Sequence, residues 1–139
     1  MKQTIVSGSA PEPVGNYPHA RKVGDFIYLS GIGPRKKGTK SIPGVELDSS
    51  GNITSYDISI QCQSVFENVE RVLQDAGASL ENLVDVTVFL TNMKDDFQAY
   101  NEAYGKFFDK IRPTRTTVEV TALPTPIAIE LKCIAYIGD

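Results

Sequence analysis

Hydrophobic residues recur at three- and four-residue steps between Asp57 and Ala76, where Ile58, Cys62, Val65, Phe66, Val69, Val72, Leu73 and Ala76 form one apolar stripe. That period predicts an amphipathic helix buried along one side. Thr54 followed by Asp57 resembles a capping box at its start, and Gly77 supplies a C-terminal stop. A second helix is predicted over Asp95–Phe108, opened by Asn92 or a neighbour, with Phe97, Tyr100, Tyr104, Phe107 and Phe108 facing inward. Alternating or β-branched runs predict strands at Lys2–Val6, Phe26–Ser30, Leu83–Leu90, Thr116–Val120 and Ile127–Ile137. From Arg35 to Ser55 the chain is polar and rich in Gly, Ser and Pro, and reads as one long excursion of the kind that is often functional. The order β-β-α-β-α-β-β implies an α+β fold in one domain, residues 1–139, with two helices covering one face of a mixed sheet.

The last two strands hold the first candidate chemistry. Read as a hairpin around Ala122-Leu123-Pro124-Thr125, they carry Val118, Val120, Ile127, Ile129, Leu131 and Cys133 on one face. Arg115, Thr117, Glu119, Glu130 and Lys132 then fall on the other, with Arg115 and Glu130 as direct or diagonal neighbours. An arginine fork beside a carboxylate suits a carboxylate substrate held next to a water-activating base. The same pair would also serve as a cross-strand salt bridge on a solvated face. Asn101 is placed on the packed side of the second helix, where its amide either satisfies backbone groups or lines a pocket. Tyr17 lies in the turn-like segment Gly15-Asn16-Tyr17-Pro18-His19, as a lid or as a packed surface ring.

Composition narrows the field. The chain has 139 residues, 41% hydrophobic and 22% charged, which is ordinary for a globular protein. Its net charge of -3 argues against a nucleic-acid binder, which shows a concentrated positive field. Two cysteines, both on apolar stripes, read as small buried hydrophobes rather than a disulfide framework. One histidine with scattered carboxylates shows no metal-ligand spacing, and no stretch is long enough to span a bilayer. Met1 to Ala10 lacks the charged and apolar regions of a secretory signal, so the expected location is cytoplasmic.

The motifs also stand in a familiar order: Gly15-Asn16-Tyr17, Ile27-Tyr28-Leu29-Ser30-Gly31, Asn101-Glu102-Ala103-Tyr104, Pro113-Thr114-Arg115-Thr116-Thr117-Val118-Glu119-Val120, Leu123-Pro124, then Ile129-Glu130 before Ile134-Ala135. From about Val14 to the C-terminus the chain resembles the Rid (reactive intermediate deaminase, YjgF-type) family. The resemblance implies a chorismate-mutase-like fold, a homotrimer with sites between subunits, and hydrolysis of imines or enamines without a cofactor. It implies that Arg115 grips the substrate carboxylate and Glu130 positions the attacking water. Tyr17 and Asn101 match pocket residues, and Gly31 matches a backbone contact. Two departures stand out. Thr117 occupies a position where relatives that hydrolyse simple 2-imino acids commonly have cysteine. The basic excursion, with His19 near Tyr17, is similar to the branch that includes 2-aminomuconate deaminase.

A dicarboxylate substrate has a second charged end, and a desolvated carboxylate without a partner is costly, so a selective site should supply a second cation. Arg35, Lys36, Lys37, Lys40, Arg21 and His19 are the candidates, with His19 and one member of the basic loop preferred. Three functions follow: a dicarboxylate deaminase in aromatic catabolism, a broad 2-imino-acid deaminase, and a non-enzymatic module that binds small carboxylates.

Overall fold

A computed structural model describes residues 2–139. The strands are β1 (Lys2–Ile5), β2 (Ala20–Val23), β3 (Phe26–Leu29), β4 (Val45–Leu47), β5 (Ile53–Tyr56), β6 (Leu83–Leu90), β7 (Thr114–Glu119) and β8 (Ile129–Tyr136). The helices are α1 (Ile58–Asp75) and α2 (Met93–Phe108). Six strands form one mixed sheet in the order β1-β2-β3-β8-β6-β7, and β4 and β5 pair by themselves. Only β6 and β7 run parallel, because the crossover between them is α2; the other neighbours are antiparallel.

Each helix is closed by its own sequence. Asp57 caps α1, its carboxylate accepting from the Ser59 and Ile60 amides, so Thr54 has no part in that cap. At the other end Gly77 adopts φ +82°. The Ala78 amide then reaches Leu73 O and the Gly77 amide reaches Gln74 O, a Schellman closure open to glycine at little cost. Asn92 caps α2 through the Asp95 amide at 3.1 Å, which starts the helix two residues earlier than its apolar period suggests. A second acceptor arrives from a distant strand, since Glu119 Oε1 takes the Met93 amide at 2.8 Å.

The core lies between the helices and one face of the sheet. Phe66 of α1 meets Tyr104 and Phe108 of α2 edge-on, at 5.9 and 5.1 Å between ring centroids. Truncating a ring buried in this way typically costs about 3–5 kcal/mol. Both cysteines are buried as small apolar groups, and burial pushes each thiol up to about 12. On α2 the buried set is Asp96, Tyr100, Tyr104 and Phe108, whereas Phe97 is 38% exposed. Asp96 replaces it because the Tyr56 hydroxyl donates to its carboxylate at 2.6 Å, tying the end of β5 to α2.

Three expectations are corrected. Ala20–Val23 is a strand too short and too charged for its pattern to reveal it. The excursion contains the β4–β5 hairpin. Most important, the last two strands do not form a hairpin. β6 lies between them, pairing parallel with β7 and antiparallel with β8. The connection from Val120 to Ala128 is too long and proline-rich for a tight turn, and its ends bond to β6 instead: Val120 N to Leu90 O, and Thr91 N to Ala128 O.

Candidate active site

That insertion moves Arg115 and Glu130 apart. Arg115 is level with Val86, which is level with Cys133, and all three share the helix-covered face. Glu130 is level with Phe89 and Val118, on the opposite, open face. Within one protomer the two residues are therefore separated by a strand, by the thickness of the sheet, and by roughly 10 Å along the strands. The predicted site residues form two clusters.

The first cluster surrounds Glu130. Its carboxylate lies against Gly31, where a Cβ would stand 2.5 Å from Oε2 and 3.0 Å from Cδ. Tyr17, Gly31, Arg35, Thr125, Ile127 and Glu130 line a cleft of about 110 Å³. Burial raises the Glu130 carboxyl above the usual glutamate range. A half-buried carboxylate that holds its proton longer than normal is suited to accept one from water near neutral pH. Tyr17 is 41% exposed, its hydroxyl 3.4 Å from the Val14 amide, so it forms a wall open to solvent rather than a core ring. Arg35 reaches this wall with one guanidinium nitrogen donating to Glu12 O at 2.6 Å.

Replacing Gly31 by Ala tests the contact. The added methyl must displace the end of a flexible side chain, which is cheap for folding. A displacement of about 1 Å at a reacting group can lower a rate ~100-fold. Gly31→Ala is expected to lose most of kcat with a melting temperature near that of the unmodified protein; full activity would show that the Glu130 carboxylate needs no fixed place.

The second cluster surrounds Arg115. An Arg115 Nη1 donates to Asn101 Oδ1 at 2.9 Å, and the guanidinium lies over the rings of Tyr100 and Tyr104, at 5.3 and 4.8 Å from their centroids. Asn101 is exposed, not packed inward as its helical position suggests, and it orients the arginine from the rim. Thr117, on the same face of β7, has its Oγ1 2.7 Å from the Tyr100 hydroxyl. The bed of Tyr100 and Tyr104 under the fork was missed in the sequence, where both rings read only as core.

His19 belongs to neither cluster chemically, although it borders the Tyr17 loop. It is 2% exposed, and the Ser7 amide donates to its Nδ1 at 2.9 Å. Nε2 therefore carries the proton and donates to Pro11 O at 2.8 Å. Both nitrogens fasten one loop to another, so the expected cationic role is corrected to a structural one. Ser7 and Asp75 lie nearby without making a hydrolytic triad, because the Ser7 hydroxyl donates to Asp75 and not to the imidazole. Lys36 and Lys37 line a groove against α1 that Arg35 also borders, and Lys37 pairs with Glu12 at 3.5 Å. Among the described residues no three His, Cys, Asp or Glu side chains converge as a metal ion needs. Among the described residues no helix is long and apolar enough to cross a membrane.

Comparison with known proteins follows the same outline. Residues 7–137 match the family model described as Endoribonuclease L-PSP. A RutC family protein of Pyrococcus abyssi is 39% identical over 135 residues, 97% of each chain. The yeast protein MMF1, named as mitochondrial, is 34% identical, covering 91% of this chain and 78% of its own. Among solved structures, E. coli TdcF with bound serine superposes with a TM-score of 0.83 at 30% identity, covering 98% of this chain and 99% of its own. The E. coli YjgF gene product gives 0.82 at 29% identity, with 96% and 98% covered.

Proposed function

The chain belongs to the Endoribonuclease L-PSP (YjgF/Rid) family, and from that premise we propose that it is a cofactor-independent, cytoplasmic deaminase that hydrolyses 2-imino acids. The observation that carries the reading is the Glu130 carboxylate, half-buried, raised in pKa and seated on Gly31 in an open cleft. Arg115 binds the substrate carboxylate in a bidentate fork. A water held by Glu130 attacks C2 of the imine and passes a proton to the carboxylate, which returns it to nitrogen. The same carboxylate then moves the new hydroxyl's proton to nitrogen, the C2–N bond breaks as the C2=O bond forms, and ammonia leaves a 2-oxo acid, with one water consumed.

Because the two clusters lie on opposite faces, one complete site takes Glu130 from one copy and Arg115 from the next. The open sheet face supports such an assembly, since Phe26, Tyr28, Val118 and Tyr136 are all partly exposed there. A head-to-tail contact makes a ring when its rotation closes, and a homotrimer with three equivalent sites is the closed assembly we adopt. An RNA-cleaving reading, which the family's description suggests, has less support. The chain is net negative, and its one histidine has both nitrogens engaged by backbone.

Arg35 favours a finer reading, in which the substrate is a dicarboxylate such as 2-aminomuconate, reacting through its 2-imine tautomer to give 4-oxalocrotonate. It is the member of the basic run that borders the Glu130 cleft, and it meets the distal carboxylate there. Ammonia release from enzymatically generated 2-aminomuconate, beside 2-iminopropionate, tests this. Arg35→Ser should raise KM for the diacid about 10-fold or more and leave the monoacid nearly unchanged. Equal effects on both substrates would leave the broad 2-imino-acid deaminase; no ammonia from either would leave a module that binds carboxylates.

A further inference from the structure

Tyr100 falls in the apolar stripe of α2, a position that asks only for an apolar ring. Phenylalanine would pack there as well, and the next ring along, Tyr104, buries a hydroxyl with no hydrogen-bond partner. The Tyr100 hydroxyl, by contrast, has one, Thr117 Oγ1 at 2.7 Å. The same ring lies under the Arg115 guanidinium. Tyr100 thus touches two of the three polar groups that β7 presents on this face, Arg115 and Thr117, while Glu119 caps α2; the two are two residues apart, the spacing that puts neighbours on one side of a strand.

The direction of the hydrogen bond follows from acidity. Burial raises the Tyr100 phenol, with Thr117 and the Arg115 charge acting against that rise, so the group stays protonated near neutral pH. A phenol remains a far stronger donor than an aliphatic alcohol. Acidity favours Tyr100 as the donor and Thr117 Oγ1 as the acceptor, an arrangement that leaves the threonine proton to donate elsewhere. Threonine is stiff at χ1 within a strand, which fixes Oγ1 beside the fork, and the phenol proton on one lone pair leaves the hydroxyl proton to turn toward the remaining directions.

We infer that Tyr100 is a positioning residue for carboxylate recognition: its hydroxyl occupies an Oγ1 lone pair and turns the Thr117 proton outward beside the Arg115 fork. The fork gains a third donor, aimed at the same carboxylate. The inference rests on the proposed docking of a substrate carboxylate at Arg115. It also gives Thr117 a purpose that cysteine, a weak donor, would fill poorly.

A binding series that needs no turnover separates the two ideas. The dissociation constant for 2-oxobutyrate is measured on the full-length protein, together with KM and kcat for 2-iminobutyrate generated in situ. Thr117→Val should weaken Kd and KM about 10-fold, the loss expected for one hydrogen bond to a charged group, with kcat within about 2-fold. Thr117→Ser should restore both. Tyr100→Phe, which keeps the ring beneath the guanidinium, should weaken both several-fold, and the double variant Tyr100→Phe, Thr117→Val should be no worse than Thr117→Val alone. Melting curves check that the buried substitution folds, and the Thr117 pair reports even where it does not. Unchanged Kd in Thr117→Val, or additive losses in the double variant, overturns the inference. Wild-type protein that binds 2-oxobutyrate without hydrolysing the imine sinks the deaminase reading, while the Kd series still decides on Tyr100. Wild-type protein that binds no 2-oxobutyrate overturns the inference along with its premise.

Discussion

Glu130→Gln should lower kcat for imine hydrolysis by about 100- to 10,000-fold, the usual contribution of one general acid–base group, with KM little changed. The amide keeps the shape of the carboxylate and its fit against Gly31, but it cannot take a proton from water. The unmodified enzyme should lose activity as pH falls through the Glu130 pKa, which burial has raised. Its acid limb therefore lies at higher pH than an ordinary glutamate would give, and Glu130→Gln should lack that limb. Stability should move the opposite way. A carboxyl whose folded pKa is raised binds more protons folded than unfolded between its two pKa values. Its contribution to stability is therefore fully present below the unfolded value and lost as pH rises through the folded one. Glu130→Gln should accordingly melt at or above the wild-type temperature at neutral pH, with the gap closing in acid. A folded variant that keeps its rate would remove Glu130 from the chemistry.

The second large effect is recovery of activity from two inactive proteins. Arg115→Ala and Glu130→Gln should each be nearly inactive as homo-oligomers. Unfolded together and refolded as a mixture, they should regain roughly a quarter of the wild-type activity, because random assortment around a closed ring pairs an intact Arg115 with an intact Glu130 in about one site in four. The two residues occupy opposite faces of one sheet, with β6 between their strands. No side-chain rotation in a single protomer joins them. A site built within one protomer could never be restored by mixing, so a mixture as inactive as its components would end the shared-site proposal. Measuring the recovered rate against mixing ratio adds a check, since it should peak at equal amounts and vanish at either end.

Local pattern carried a good deal of this protein. The α1 stripe from Ile58 to Leu73, the central strands β6 and β8, and the burial of Cys62 and Cys133 were all legible, because each depends on a period of 3.6 or 2 that neighbouring residues impose on one another. Gly77 announced its turn for the same reason. The order of site motifs along the chain was legible as well, and with it the two residues for which catalytic roles are proposed. Strand partners were another matter. β7 and β8 are consecutive strands, and their polarity pattern was equally consistent with a hairpin. The pattern says which residues share a face, not which strand lies alongside, and the proline-rich length of the connection allowed β6 to take the place between them. Asn101 and His19 failed for a related reason. The amide sits at a helix rim where only the reach of Arg115 gives it a partner, and the imidazole is satisfied by the backbone of Ser7 and Pro11, segments no periodicity links to it. The sequence by itself thus determined the two helices, β6 and β8, most of their buried sides and the candidate groups, because these follow from contacts between residues close in the chain. Only the tertiary structure decided that Arg115 and Glu130 lie on opposite faces, because pairing across a sheet is settled by contacts between segments far apart in sequence, on which local pattern has no hold.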